Sequence, residues 1–253
     1  MSDHAGRFSN RVDDYIRYRP GYPKALITTL LEKTGLAAGA KVADIGSGTG
    51  IFTRLLLDAG FTVYAVEPNP EMRTAAEHSH ADQTGFFSIA APAEATGLKN
   101  KSLDLITAAQ AFHWFNNPPT QLEFSRILKP EGYLALIWNR RRTEQAFQRE
   151  YESILRRHAP EYSTANHMNL NDDEICSFFT RGKIEKLIFE NFQEFDFDSL
   201  LGRVKSSSYC PAEDSEDFRQ LSADLSVLFD DSNVDGKIKF EYHTDLYLGN
   251  AKQ

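Results

Sequence analysis

The sequence predicts a doubly wound α/β fold: a seven-stranded, mostly parallel sheet with an antiparallel C-terminal edge strand and a helical cap insertion. Three observations carry this. Short apolar runs rich in β-branched residues alternate with stretches of helical spacing from Lys41 to Trp138, the pattern of successive βαβ units. The first run empties into a glycine-dense turn, as nucleotide-binding sheets do. The chain closes on two strand-like runs separated by helical sequence, with no terminal helix, which suits an antiparallel strand on a parallel sheet.

Taken in order, the first strand is Lys41–Ile45, followed by a helix over 51–59 that sets Phe52, Leu55, Leu56 and Ala59 on one side. Strands are expected at 61–66, Phe86–Ile89, Leu103–Ala109 and 133–138, with helices at Pro70–Ser79 and 119–128 between them. Beyond Trp138 the rhythm changes: a helix over 143–158, a short one over 171–179, a strand over 184–189, a polar helical stretch over 196–229 and a final strand over 237–248. No linker or internal repeat divides the chain. We read one domain over 1–253, with an N-terminal helical lid or packing segment over 1–35 and a helical insertion at about 196–232.

The 253 residues carry 28 Lys+Arg against 36 Asp+Glu, a net charge of −8. A chain that neutralises many phosphates carries a basic surface, so general binding to nucleic acid or an anionic membrane is not expected. The longest apolar runs are too short to span a bilayer, and Met1 to Phe8 is polar, without the apolar stretch of a signal peptide. Cys176 and Cys210 form no disulfide framework, which suits a reducing compartment and a cytoplasmic location. Oligomeric state is not readable.

The strongest local signal is Val42-Ala43-Asp44-Ile45-Gly46-Ser47-Gly48-Thr49-Gly50. Gly46 and Gly48 permit a tight turn and bring bare backbone to a ligand, and the helix start behind them offers N–H groups to an anionic group. Glu67 falls 21 residues after Gly46, the spacing of the acid that bonds a ribose diol. Ile51 stands where a dinucleotide fingerprint wants its last glycine, and Asp44 would repel a pyrophosphate. A ligand with an ammonium or sulfonium charge tolerates that acid better, which points away from NAD and toward S-adenosylmethionine.

With these motifs the chain resembles the class I S-adenosylmethionine-dependent methyltransferases (the type 11 methyltransferase domain, trans-aconitate methyltransferase-like small-molecule subgroup). Residues 42–50 look like that family's first motif and Val66-Glu67-Pro68-Asn69 its second. Ser102-Leu103-Asp104-Leu105-Ile106 through Gln110-Ala111-Phe112-His113-Trp114 resembles its fourth-strand segment, and Leu128-Lys129-Pro130-Glu131-Gly132 its turn into strand five. The segment Tyr15-Ile16-Arg17-Tyr18-Arg19-Pro20-Gly21-Tyr22-Pro23 is similar to one preceding the domain in this subgroup. The resemblance implies a Rossmann-like methyltransferase fold and S-adenosyl-L-methionine as cofactor. It further implies that Gly46 and Gly48 line the methionine portion, that Asp44 helps hold its amino end and that Glu67 binds both ribose hydroxyls, with Ser47 and Pro68 also among the cofactor-binding residues. Ala93 and Glu94 would border the adenine, where Pro92 departs from the pattern. Gln110 would face the amino-acid end or the methyl group.

Methyl transfer from a sulfonium is an in-line displacement whose donor is already activated, so alignment of the acceptor is the main demand. A base is needed only where the acceptor must lose a proton. The sequence shows no catalytic dyad; His113 is the one candidate base. Ligands of open α/β sheets sit outside the strand C-termini, which nominates Tyr18, Arg19, His113, Trp114, Trp138 and Arg140 for the acceptor side. Arg140 could pair with an anionic acceptor, and Trp114 and Trp138 could equally be core. The acceptor itself, a carboxylate or another O, N or C nucleophile, is not legible.

Asn117-Pro118-Pro119-Thr120 superficially resembles an amino-methyltransferase motif, but its spacing and Thr120 favour a proline-bearing helix start. His78 and His80 are two apart, which faces them away from each other on a helix and disfavours a metal site. The alternatives are a non-catalytic cofactor-binding regulator and an NAD(P)-dependent oxidoreductase.

Overall fold

The computed structural model describes residues 16–164, 171–179 and 184–251; the first fifteen residues of the expected N-terminal segment, and with them the polar start of the chain, lie outside these. Seven strands form one sheet in the order β3-β2-β1-β4-β5-β7-β6. They are β1 Lys41–Ile45, β2 Thr62–Val66, β3 Phe86–Ile89, β4 Leu103–Ala109, β5 Leu128–Arg141, β6 Glu185–Phe195 and β7 Ile238–Gly249. β1 to β5 pair in parallel, and β7 runs antiparallel to both its neighbours. The mostly parallel sheet and its antiparallel C-terminal strand are thus as expected, and that strand lies one place in, with β6 outermost.

β1 is buried at four of its five positions, because helices cover both faces. On one face α1 (Lys24–Thr34) and α2 (Ile51–Asp58) pack Leu26, Leu30, Phe52 and Leu56 on Val42, Leu105 and Ile137. On the other, α4 (Pro118–Ile127) sets Phe124 and Ile127 on Ala43, Ile45 and Leu136. Asn69 caps α3 (Pro70–Ser79), its side chain accepting the Met72 N–H at 2.8 Å with Pro70 in the first turn. Asn117 caps α4 in the same way, with prolines behind it, so the proline pair is a helix start.

Two strands run further than the apolar pattern suggests. β5 pairs with β7 as far as Arg141↔Tyr242, and β6 with β7 over its whole length to Phe195↔Ile238. Charged residues in these extensions hid them. The polar helical stretch is two helices, α7 (Phe197–Lys205) and α8 (Glu216–Ser232), separated by a turn in which Ser206 and Ser207 are fully buried. With α5 (Ala146–His158) they close a second core around Tyr151, Leu155, Leu221, Phe240 and Tyr242. The short helix α6 (Asp172–Cys176) is closed by a capping box between Asn171 and Glu174. No helix among the described residues is long and apolar enough to cross a membrane.

Candidate active site

A cleft of about 340 Å³ opens at the C-terminal ends of β1, β2 and β4, within the range of small-ligand pockets. The loop after β1 forms its floor. Gly46 and Ser47 both donate their N–H to the Val66 carbonyl, at 2.9 and 3.2 Å, stapling the loop to the end of β2. Gly46 sits at φ +68°, and a Cβ there would lie 2.6 Å from the Ala111 Cβ, so only glycine lets the two loops meet. The ring of His80 bonds the Gly50 carbonyl at 3.1 Å, which fixes the loop's far end and explains a histidine first weighed for metal. Ser47 Oγ and Thr49 Oγ1 are buried without a protein partner among the described residues, and both residues line the cleft. A bare backbone cradle with unsatisfied hydroxyls fits a polar ligand threaded along it.

Two acids stand at its sides. Glu67 follows β2 and is nearly buried; one carboxylate oxygen accepts the Gly48 N–H at 2.9 Å and the other the Asn69 N–H at 2.8 Å. Burial raises its pKa, against the two N–H groups and Arg73. One lone pair on each oxygen remains for a ligand. Asp44 is deeper, its oxygens accepting from Thr53 Oγ1 at 2.7 Å and Thr107 Oγ1 at 2.9 Å. Burial pushes its pKa up to about 6, only partly offset by those hydroxyls, with the Glu67 charge adding to the rise. Two carboxylates facing one cleft make a site that favours a cation.

Pro68, Ala93, Glu94 and Gln110 line the same cleft, as do Asp44, Gly46, Ser47, Gly48 and Glu67. All nine residues assigned to the cofactor therefore meet at one place. Gln110 departs in detail: it sits at φ +55°, and its amide pairs with the Asn139 backbone at both ends, at 3.3 and 3.2 Å. Its side chain extends the β4–β5 ladder instead of projecting as a free arm. Positive φ at a non-glycine residue stores strain that functional sites tolerate.

Of the residues nominated for the acceptor, Arg19, His113 and Trp114 line the cleft. His113 is held neutral: burial, then Arg19 nearby, lowers its pKa to about 3. A ring that resists protonation so strongly is a poor base, so the structure argues against the one sequence candidate. Three nominations are corrected. Trp138 is core, edge-on to Phe112 and Tyr247, because alternation along β5 turns it to the α4 side. Arg140 bonds Asp245 on the neighbouring β7 at 2.9 Å, since the strand continues past it. Tyr18 packs on Gly202 of α7, where a Cβ would collide with its ring.

Two features of the site were not anticipated. Asn139 gathers the N-terminal strap: its Nδ2 donates to the Gly21 carbonyl at 3.1 Å, joined there by Asn191 Nδ2 at 2.9 Å, while its Oδ1 accepts from Thr244 and Asn191. Ser208 and Tyr209, from the turn between α7 and α8, complete the wall beside Arg19, which bonds the Ser206 carbonyl at 2.9 Å. A tyrosine after three serines in a polar stretch carries no motif; only its aromatic character in a solvated segment marked it.

The methyltransferase domain model matches residues 43–136. An uncharacterized methyltransferase of Mycobacterium bovis is 37% identical over 150 residues, 59% of this chain and 59% of its own length. The chain thus spans well under two thirds of that curated relative. Among solved structures, the YcgJ protein of Bacillus subtilis superposes with a TM-score of 0.59 at 18% identity, covering 91% of this chain and 100% of that one. Phosphoethanolamine N-methyltransferase 2 of Haemonchus contortus, solved with phosphomonomethylethanolamine and S-adenosylhomocysteine, gives 0.55 at 14% identity over 96% of this chain and 57% of that one. These structural likenesses speak for the fold. Residues 43–136 are thus similar to a methyltransferase domain, and the seven-stranded sheet that carries them is the fold these solved structures share.

Proposed function

We propose that the chain transfers a methyl group from S-adenosylmethionine to a small-molecule acceptor. The observation that carries this is the Glu67 carboxylate, fixed by Gly48 and Asn69 N–H groups with one lone pair per oxygen open to the cleft. A ribose diol is the natural partner of such a bidentate acceptor. Bound there, S-adenosylmethionine supplies a methyl group activated by positive sulfur. Asp44 and Glu67 supply negative potential to hold that charge and an ammonium group, Gly46 to Gly48 line the amino-acid portion, and Ala93 and Glu94 border the base. Arg19, His113, Trp114 and Tyr209 form the acceptor wall.

The modest size of the cleft, about 340 Å³, supports a small acceptor. The strap from Tyr18 to Tyr22 is pinned by Gln193 Nε2 on the Tyr18 carbonyl at 3.2 Å, by Asn139 and Asn191 on Gly21, and by the Tyr22 ring edge-on to Phe52. Strap, α7–α8 turn and Trp114 border the cleft, the position from which a cap shields a reaction from water. We read the strap and the α7–α8 insertion as caps of one domain. Calorimetric titration with S-adenosylmethionine and with NAD tests the proposal: binding of the former alone supports it, and binding of NAD alone overturns it.

A further inference from the structure

We propose that β6 pairs antiparallel with β6 of a second copy of the chain, extending the sheet across a two-fold axis at Ile188.

The two ends of the sheet differ. β3, at one edge, is four residues long, and shortness is one way an exposed edge is kept from pairing. β6, at the other edge, runs eleven residues from Glu185 to Phe195 with neither proline nor glycine. It pairs with β7 residue for residue, without a bulge. No backbone hydrogen bond among the described residues reaches its outer side. The features that blunt an edge by shape are therefore missing, and a row of N–H and C=O groups is left for another strand. Two large apolar side chains stand on one face of this strand, Ile188 at 57% and Phe192 at 54% exposure.

The sequence of the strand identifies the partner. In an antiparallel pair related by a two-fold axis perpendicular to the sheet, directly opposed residues share a face. Even-numbered residues therefore meet even, and odd meet odd. With the axis at Ile188, that residue meets itself, Ile184 meets Phe192 and Lys186 meets Glu190. On the opposite face Leu187 meets Phe189 and Glu185 meets Asn191. From 184 to 192, apolar opposes apolar and polar opposes polar at every pair, and the pair with two charges joins opposite signs. Moving the axis one residue either way sets Ile188 against Lys186 or against Glu190. Lys186 keeps its bond to Asp172 at 2.8 Å within its own chain, so the opposed charges fix the register more than they add affinity. Because the contact is self-complementary, it closes on two copies instead of growing into a filament.

Sedimentation of the full chain and cysteine cross-linking test this. The wild-type chain is expected to sediment as a dimer. Ile188→Lys, which sets like charge against like at the axis, is expected to raise the dissociation constant about 100-fold or more while its circular dichroism is unchanged. Ile188→Cys is expected to form a covalent dimer under mild oxidation, since cysteines opposed on neighbouring strands lie within disulfide reach. The counterpart of Phe192→Cys lies eight residues along the strand, about 27 Å away. That variant should cross-link no faster than wild type, in which Cys176 and Cys210 set the background. A wild-type chain that stays monomeric up to its solubility limit overturns the proposal, as does a dimer that survives Ile188→Lys. Cross-linking of Phe192→Cys as readily as Ile188→Cys overturns it equally, and that comparison decides the register even if Ile188→Lys fails to fold.

Discussion

The Gly48 N–H lies 2.9 Å from Glu67 Oε2, so the acid that ends β2 grips the loop that ends β1. The same carboxylate that lines the cleft thus holds the glycine loop in shape. Preorganisation of this kind lowers the ordering cost of binding.

Glu67→Ala is therefore expected to weaken S-adenosylmethionine binding by at least tenfold, about 1.4 kcal/mol. Glu67→Gln, which keeps one acceptor oxygen, should lie between it and wild type. Calorimetry reads both; unchanged affinity in Glu67→Ala would refute the ribose role.

Gly46→Ala should destabilise the fold by about 2–4 kcal/mol, since it adds left-handed strain to a clash with Ala111. Gly35→Ala, with similar φ but open space around it, should cost about 1 kcal/mol. Chemical denaturation compares them. Equal losses would show that the approach to Ala111 imposes no constraint.

Cofactor affinity should rise with pH through about 6. Asp44 is neutral in the empty site below that pH and ionised above it, and a cationic ligand favours the ionised form, so binding near pH 6 should release a proton. In the unliganded protein the sign is opposite: a carboxyl raised from 3.8 to about 6 contributes stability below pH 3.8 that is lost as pH climbs through 6. Titrations in buffers of different ionisation enthalpy measure the proton count, and Asp44→Asn should abolish it.

His113 should stay neutral across pH 5–8, with no ring-proton titration by NMR in that window. Its depressed pKa, lowered chiefly by burial, means that the stability it contributes is present above pH 6.5 and lost as pH falls toward 3.

Asn139→Ala should loosen the strap at Gly21, leaving Asn191 as its donor there, and cost about 1–3 kcal/mol through the buried partners left behind, the Thr244 hydroxyl among them. Hydrogen exchange at residues 18–22 should quicken in the variant while exchange in β1 does not.

The parallel half of the molecule and the cleft lining at the ends of β1 and β2 were legible because their signals are local: Gly46, Gly48 and Glu67 lie within one βαβ unit, and spacing alone sets their geometry. The rest of the cleft was not. Arg19 reaches it through a bond to the Ser206 carbonyl, 187 residues away in sequence, and Tyr209 arrives on a turn whose burial no local pattern announces. Trp138 and Arg140 were misplaced for one reason: apolar alternation shows where a strand's core ends, while pairing with β7 continues to Arg141.

The most direct measurement is isothermal titration of the wild-type chain with S-adenosylmethionine, with NAD and Glu67→Ala as controls. One-to-one binding of the sulfonium compound, weakened at least tenfold in the variant and absent with NAD, is the predicted result. Heat from NAD alone, or sulfonium binding indifferent to Glu67, would contradict it.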